Sequence, residues 1–352
     1  MLRTAFVFPG QGPQRPGIGV ELTTRRPDLV TTYHRPADDL LGFPLSRLTP
    51  EEPEDPHPDH PAHTPDAEDP AVLHPAFFLT SVVLLDVLRS EGLTPDAVAG
   101  HGVGEYAALV AAGVLEWTDA LWLVRLRGEL IGSVGSEIPG ATISVFGLDR
   151  TRLARLCEKS AMITGQIVEL VDTEDQPRHR VVAGQARAVG HLARAARAAG
   201  ALRVTDLNTG GPFHANLLRR AEAEFTEALI GTEFRNPTLP VVSSATGTRV
   251  TTAAEAVVAL RTQLSGPIRW TDTVRALDRQ GTDRYIEVGP GHTLGGLIRR
   301  IVPGARVHGC DPRCGRVRTH PRVPRTTTTA AAREHTPAPR RPLTGAALGP
   351  AA

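Results

Sequence analysis

Residues 100–105 read Gly-His-Gly-Val-Gly-Glu, after the apolar run Ala97-Val98-Ala99 and before a helix predicted from Val103 to Gly113. The spacing Gly100-x-Gly102-x-Gly104 is that of a strand-to-helix elbow. Small residues flank the centre of such a turn because it is tight, and the central side chain is thrown out at the sheet edge. A serine there is a nucleophile for acyl transfer. The centre here is Gly102, which has no atom to attack with. Elbow residues are held in a strained backbone conformation, often at positive φ, costing on the order of 1–3 kcal/mol for a residue with Cβ. Glycine visits such regions freely. The residues therefore predict a relaxed elbow without its nucleophile, in which His101 supports the turn.

The same letters admit another chemistry. Gly102-x-Gly104-x-x-Ala107 matches a dinucleotide fingerprint, which also requires a second strand ending in Asp or Glu roughly 20 residues on. Around residue 122 the chain instead reads as an amphipathic helix, LWLVRLRGELI, so a dinucleotide-binding protein is the remote alternative. No metal is expected. His57, His60 and His63 lie in a proline-broken acidic stretch, and Cys310 and Cys314 stand with His308 and His320 in a low-complexity end; neither set has the regular spacing of a zinc site.

These groups need a scaffold, and 352 residues with 41% hydrophobic content suffice for a large core. A net charge of +1 gives no global field to recruit nucleic acid or a membrane. Three cysteines fit a reducing cytosol. The opening MLRTAFVFPGQG has too short an apolar run for a signal peptide, and no run approaches the roughly 18 apolar residues of a spanning helix. A cytoplasmic protein is expected.

The pattern of apolar residues predicts a strand at Thr4–Phe8, a helix from Pro75 to Glu91, a strand at AVAG, and a helix capped by Thr118. Residues 141–204 then read βαββαβ, the ferredoxin-like unit, inserted into a larger α/β body. The body resumes with a helix at Leu217–Leu229, a strand at Leu239–Ser243, a helix at Ala253–Gln263, a strand at Arg284–Val288 and a helix at Thr293–Ile301. The expected organisation is an α/β-hydrolase-like body of residues 1–139 and 206–308, a small subdomain of residues 140–205, and a disordered tail, 309–352, rich in Pro, Thr, Arg and Ala.

Several motifs recur in a fixed order: Pro9-Gly10-Gln11-Gly12-Pro13-Gln14, the elbow, Arg127-Gly128, Gly211-Pro212-Phe213-His214, Pro267-Ile268-Arg269-Trp270 and Glu287-Val288-Gly289-Pro290-Gly291. In these the chain resembles malonyl-CoA:acyl carrier protein transacylases and the acyltransferase domains of polyketide synthases, over about residues 4 to 307. The resemblance implies ping-pong transfer from coenzyme A to a carrier's phosphopantetheine thiol, with both as substrates and no further cofactor. It implies His214 as the base, Gln11 and Val103 as backbone oxyanion donors, Arg127 as a clamp for the malonyl carboxylate, and Phe213 as the malonyl-selecting residue of its loop. The expected partners are malonyl-CoA or a related acyl-CoA, an acyl carrier protein and a polyketide synthase.

The departures from that pattern lie at the site. Gly102 stands for the serine, His74-Pro75-Ala76 for Gln-Pro-Ala, and Asp172 to Pro177 for a stretch with asparagine before proline. The expectation is a protein of polyketide or fatty-acid biosynthesis that is impaired or inactive in covalent transfer yet binds an acyl thioester or carrier. The alternative is an active acyltransferase, or a thioester hydrolase, that uses His214 without an acyl-enzyme.

Overall fold

The computed structural model describes residues 3–10, 26–43, 45, 69–171, 179–207, 216–289 and 293–309. Strand β1 (Thr4–Phe8) is buried at all five positions. Helix α1 (Pro27–Leu41) follows, then α2 (Pro70–Ser90), strand β2 (Ala97–Gly100), α3 (Gly104–Ala111) and α4 (Trp117–Glu137). The chain continues as β3 (Gly140–Phe146), α5 (Arg150–Thr164), β4 (Val168–Leu170), β5 (His179–Gln185), α6 (Ala186–Ala198) and β6 (Arg203–Asp206). A 3₁₀ turn at Asn216–Ala221 leads into α7 (Glu222–Ile230), followed by β7 (Val241–Val242), β8 (Arg249–Val250), α8 (Ala253–Ser265), α9 (Trp270–Arg279), β9 (Arg284–Glu287), α10 (Thr293–Ile301) and β10 (Arg306–Gly309).

Two sheets result. The larger runs β10-β9-β1-β2-β7-β8 and is parallel except for the β7–β8 pair. Its central strands are continuous apolar runs, as strands covered on both faces must be. The smaller runs β4-β5-β3-β6 and is wholly antiparallel, and Leu153 of α5 and Leu192 of α6 share one buried cluster with the strand residues Val145 and Val182. This is the order of a ferredoxin-like unit, so the α/β class with an inserted ferredoxin-like subdomain is what the chain adopts.

Some local expectations are corrected. Helix α4 begins at its N-cap Glu116, which makes no side-chain cap bond, and Thr118 lies inside its first turn. Helix α2 starts at Pro70, because Asp69 accepts from Ala71 N–H and proline is accommodated at the first helical position. At 21 residues, with an 18-residue window of mean hydropathy 2.0, α2 is long and apolar enough to cross a membrane, contrary to the expectation that no run comes close. Within the protein, 78% of that stretch is buried, and it forms the central core helix. Helices α1 and α9 and strand β10 were not apparent in the sequence. The proline-rich stretch of 51–68, the stretch Asp172–Pro177 and residues 310–352 lie outside the described residues.

Strand β10 makes the C-terminal limit testable. Val307 is buried among Tyr285, Leu294 and Ile298, and the Val307 carbonyl accepts from Arg299 Nη2 at 2.8 Å. Burying a valine contributes about 1.5–3 kcal/mol. A chain ending at Gly309 should melt with the full chain, whereas one ending at Ala305 should melt clearly lower in a thermal scan. Equal melting of the two shortened chains would remove β10 from the stable fold.

Candidate active site

The register Phe8↔Gly100 between β1 and β2 brings the ends of both strands side by side at the carboxyl edge of the parallel sheet. His101 N–H donates to the Phe8 carbonyl at 2.9 Å as β2 leaves the sheet. Gly102 follows with φ +55°, the left-handed region that favours glycine. The chain then enters α3 through Glu105 N–H to Gly102 O, 2.9 Å, and Tyr106 N–H to Val103 O, 3.3 Å. Among the described residues nothing accepts from the Val103 N–H. It stands at the start of a helix, where such donors favour negative charge.

His101 lies edge-on to Trp270, with ring centroids 5.3 Å apart at 71°. Burial pushes its imidazole down to about 4, so the ring is neutral near pH 7 and braces the turn.

Glu105 fastens the elbow from below. Its carboxyl is fully buried, and Oε2 accepts from Ser244 N–H at 3.2 Å, Ser244 Oγ at 2.8 Å and Gln263 Nε2 at 2.8 Å. The first turn of α3 is thereby tied to the loop after β7 and to α8. Burial holds the Glu105 pKa above the usual carboxylate range, against the hydrogen bonds from Ser243, Ser244 and Gln263 that favour the ionised form.

Arg127 projects from α4 into the interior and is 2% exposed. Its neighbour Gly128 permits the approach of the two longest helices, since a Cβ there would lie 2.4 Å from the Pro70 carbonyl oxygen. That approach sets Arg127 Nη1 3.2 Å from His74 Nδ1. Among the described residues Arg127 Nε has no hydrogen-bond partner and no carboxylate pairs with the guanidinium. Burial lowers its pKa, opposed by Tyr106, whose own hydroxyl is pushed above the ordinary tyrosine range by burial. A buried cation without an anion is costly unless a ligand supplies one.

The structure thus places Gly102 and Val103 at the elbow and Arg127 in the buried interior. Gln11, Phe213 and His214 lie outside the described residues. The sequence did not suggest the Arg127–His74 contact or the Glu105 clamp. A signal for the first existed in Asp69-Pro70, which starts α2 early enough to turn His74 inward with Phe78.

Residues 5–303 match the acyl transferase domain model. The chain belongs to that family. The acyl transferase match is supported by curated relatives over most of their length. The chain is 33% identical over 304 residues to the malonyl CoA-acyl carrier protein transacylase of Bacillus subtilis, covering 86% of this chain and 91% of that protein. It is 35% identical over 304 residues to the transacylase of the same name from Escherichia coli K12, covering 86% and 94%. Among solved structures, it is similar to a malonyl-transacylase in complex with a type II polyketide synthase acyl carrier protein, with TM-score 0.77, 35% identity, and coverage of 87% of this chain and 95% of that one.

Proposed function

We propose that this acyl transferase family protein binds malonyl-type thioesters of coenzyme A and of an acyl carrier protein but does not form an acyl-enzyme, because Gly102 occupies the place of the nucleophilic serine. The observation that carries this reading is Gly102 itself, at φ +55° between β2 and α3, in an elbow whose Val103 N–H has no acceptor among the described residues. An elbow of this shape with a hydroxyl would be the start of acyl transfer; with hydrogen in its place, no ester can form. Cys157 offers no substitute. It is buried in the smaller sheet's core, and burial pushes its thiol up to about 12.

The remaining parts favour binding. In this reading the Val103 N–H, together with that of Gln11, would serve the thioester carbonyl oxygen, with His214 as the base and Phe213 as the malonyl-selecting residue, as the family resemblance implies. Arg127 supplies the cation for the free carboxylate of a malonyl group. The names of the relatives support malonyl-CoA and an acyl carrier protein as ligands, in fatty-acid or polyketide biosynthesis. The body would comprise residues 1–139 and 206–308, and the small subdomain 140–205.

Intact-mass measurement after incubation with malonyl-CoA should show no added malonyl group on the native protein. In calorimetry the same protein should bind malonyl-CoA over acetyl-CoA by about tenfold, since a hydrogen bond to a charged group contributes roughly 1.5–3 kcal/mol. Arg127→Ala should erase that preference. Equal binding of both thioesters by the native protein would remove Arg127 from the site. Turnover of malonyl-CoA without a covalent adduct would instead place His214 in hydrolysis or direct thiol-to-thiol transfer.

A further inference from the structure

We infer that His74 is a positioning residue that determines the acyl selectivity of this site, by fixing the Arg127 guanidinium through a neutral imidazole while leaving its charge for the ligand. This rests on the reading of Arg127 as the carboxylate clamp.

Both side chains are almost wholly buried, His74 at 1% and Arg127 at 2% exposure, so their contact is not a surface encounter. Arg127 Nη1 is a donor in every protonation state available to it, so the His74 Nδ1 at 3.2 Å must be the acceptor. That assigns the tautomer: the ring proton is on Nε2 and the imidazole is uncharged. A carboxylate at this position would hold the guanidinium equally well but would cancel its charge and repel an incoming anion. An imidazole holds it without cancelling the charge.

The backbone beneath His74 is pinned from the same side. Pro75, inside α2, has no N–H, and a proline at 75 leaves the Ala71 carbonyl without its helical donor. Arg125 Nη1, from α4, takes that carbonyl at 2.9 Å. The turn that carries His74 is thus fastened to α4 within two residues of Arg127. With Nη1 occupied, the Nε and Nη2 edge of Arg127 is the fork without a partner among the described residues. A fork of two parallel N–H groups is the geometry that accepts a carboxylate through both oxygens. The ligand class this favours is a thioester of a short dicarboxylic acid, whose free carboxylate reaches that edge.

The test uses the full chain and two thioesters, malonyl-CoA and acetyl-CoA, with binding measured by calorimetry. His74→Phe keeps a planar ring and removes the acceptor; it should lose most of the roughly tenfold malonyl preference that a charge-assisted bond provides. His74→Asn returns an acceptor oxygen near the Nδ1 position and should keep the native ratio. Retention of the preference in His74→Phe, or an equal loss in His74→Asn, would overturn the role of His74. The Arg127→Ala variant separates the two levels. If it retains the preference, the clamp itself is wrong and His74 falls with it; if it erases the preference while His74→Phe does not, only His74 is excluded. Should His74→Phe not fold, ring ¹⁵N spectra of the native protein decide. An unprotonated Nδ1 that responds to malonyl-CoA and not to acetyl-CoA is expected, and a protonated Nδ1 overturns the assignment.

Discussion

The Gly102→Ser variant is expected to become acylated on the introduced serine by malonyl-CoA, under conditions in which the native protein gains no mass. Glycine and serine present the same main chain, so the β2-to-α3 turn and the Val103 N–H need no rearrangement. The new hydroxyl would attack the thioester carbonyl, its proton passing to His214 and coenzyme A leaving as the thiol once protonated. Loss of a serine nucleophile costs about 10⁶ in turnover in a serine protease, which sets the scale of what one side chain could restore. The double variant Gly102→Ser, His214→Ala should lose most of the gain, because an alcohol is a weak nucleophile without its base. The backbone at φ +55° is comfortable for glycine and strained for serine, so the variant should also melt lower, by an amount corresponding to about 1–3 kcal/mol. A folded Gly102→Ser protein that never labels would mean that more than one residue of the transfer chemistry is gone. Labelling of the native protein at any residue would overturn the absence of a nucleophile.

The elbow was legible because its constraints are local. A turn this tight leaves glycines at fixed offsets, and Gly100, Gly102 and Gly104 stand where β2 passes into α3. The ferredoxin-like unit was legible because each of its four strands and two helices carries its own period. What escaped depended on distant partners. Strand β10 is four residues long, and only its register with β9, Val307 opposite Tyr285, makes it a strand. Helix α2 reads as an ordinary amphipathic helix from Pro75 onward, yet Asp69 starts it a turn earlier and so points His74 at a helix fifty residues away. Glu105, adjacent to the elbow, carries no local signal of the bonds it makes. Its burial follows from Ser244 and Gln263, which the chain reaches only much later.

Replacing Glu105 is expected to have the largest effect on stability, and the choice of replacement tells which form of the carboxyl the fold holds. Glu105→Ala would remove the acceptor shared by the Ser244 N–H, the Ser244 hydroxyl and the Gln263 amide, in a region where Ser244 is fully buried and Gln263 is 1% exposed. Each buried group left without a partner costs about 1–3 kcal/mol. The truncation also leaves a cavity, so a loss of roughly 3–5 kcal/mol in denaturant unfolding is expected. Glu105→Gln keeps a carbonyl oxygen for all three donors and should cost far less. Its pH dependence is the sharper measurement. Burial raises the folded-state pKa of Glu105 above its ordinary 4.5, so the native fold favours the protonated carboxyl. For a raised pKa, the stabilisation is fully present below the unfolded value and is lost as pH rises through the folded value. The native protein should therefore lose stability relative to Glu105→Gln as pH climbs above about 4.5, since the amide has nothing to ionise. The opposite trend, a native protein that gains on the variant toward neutral pH, would mean that the three donors outweigh burial and that an ionised Glu105 holds the elbow.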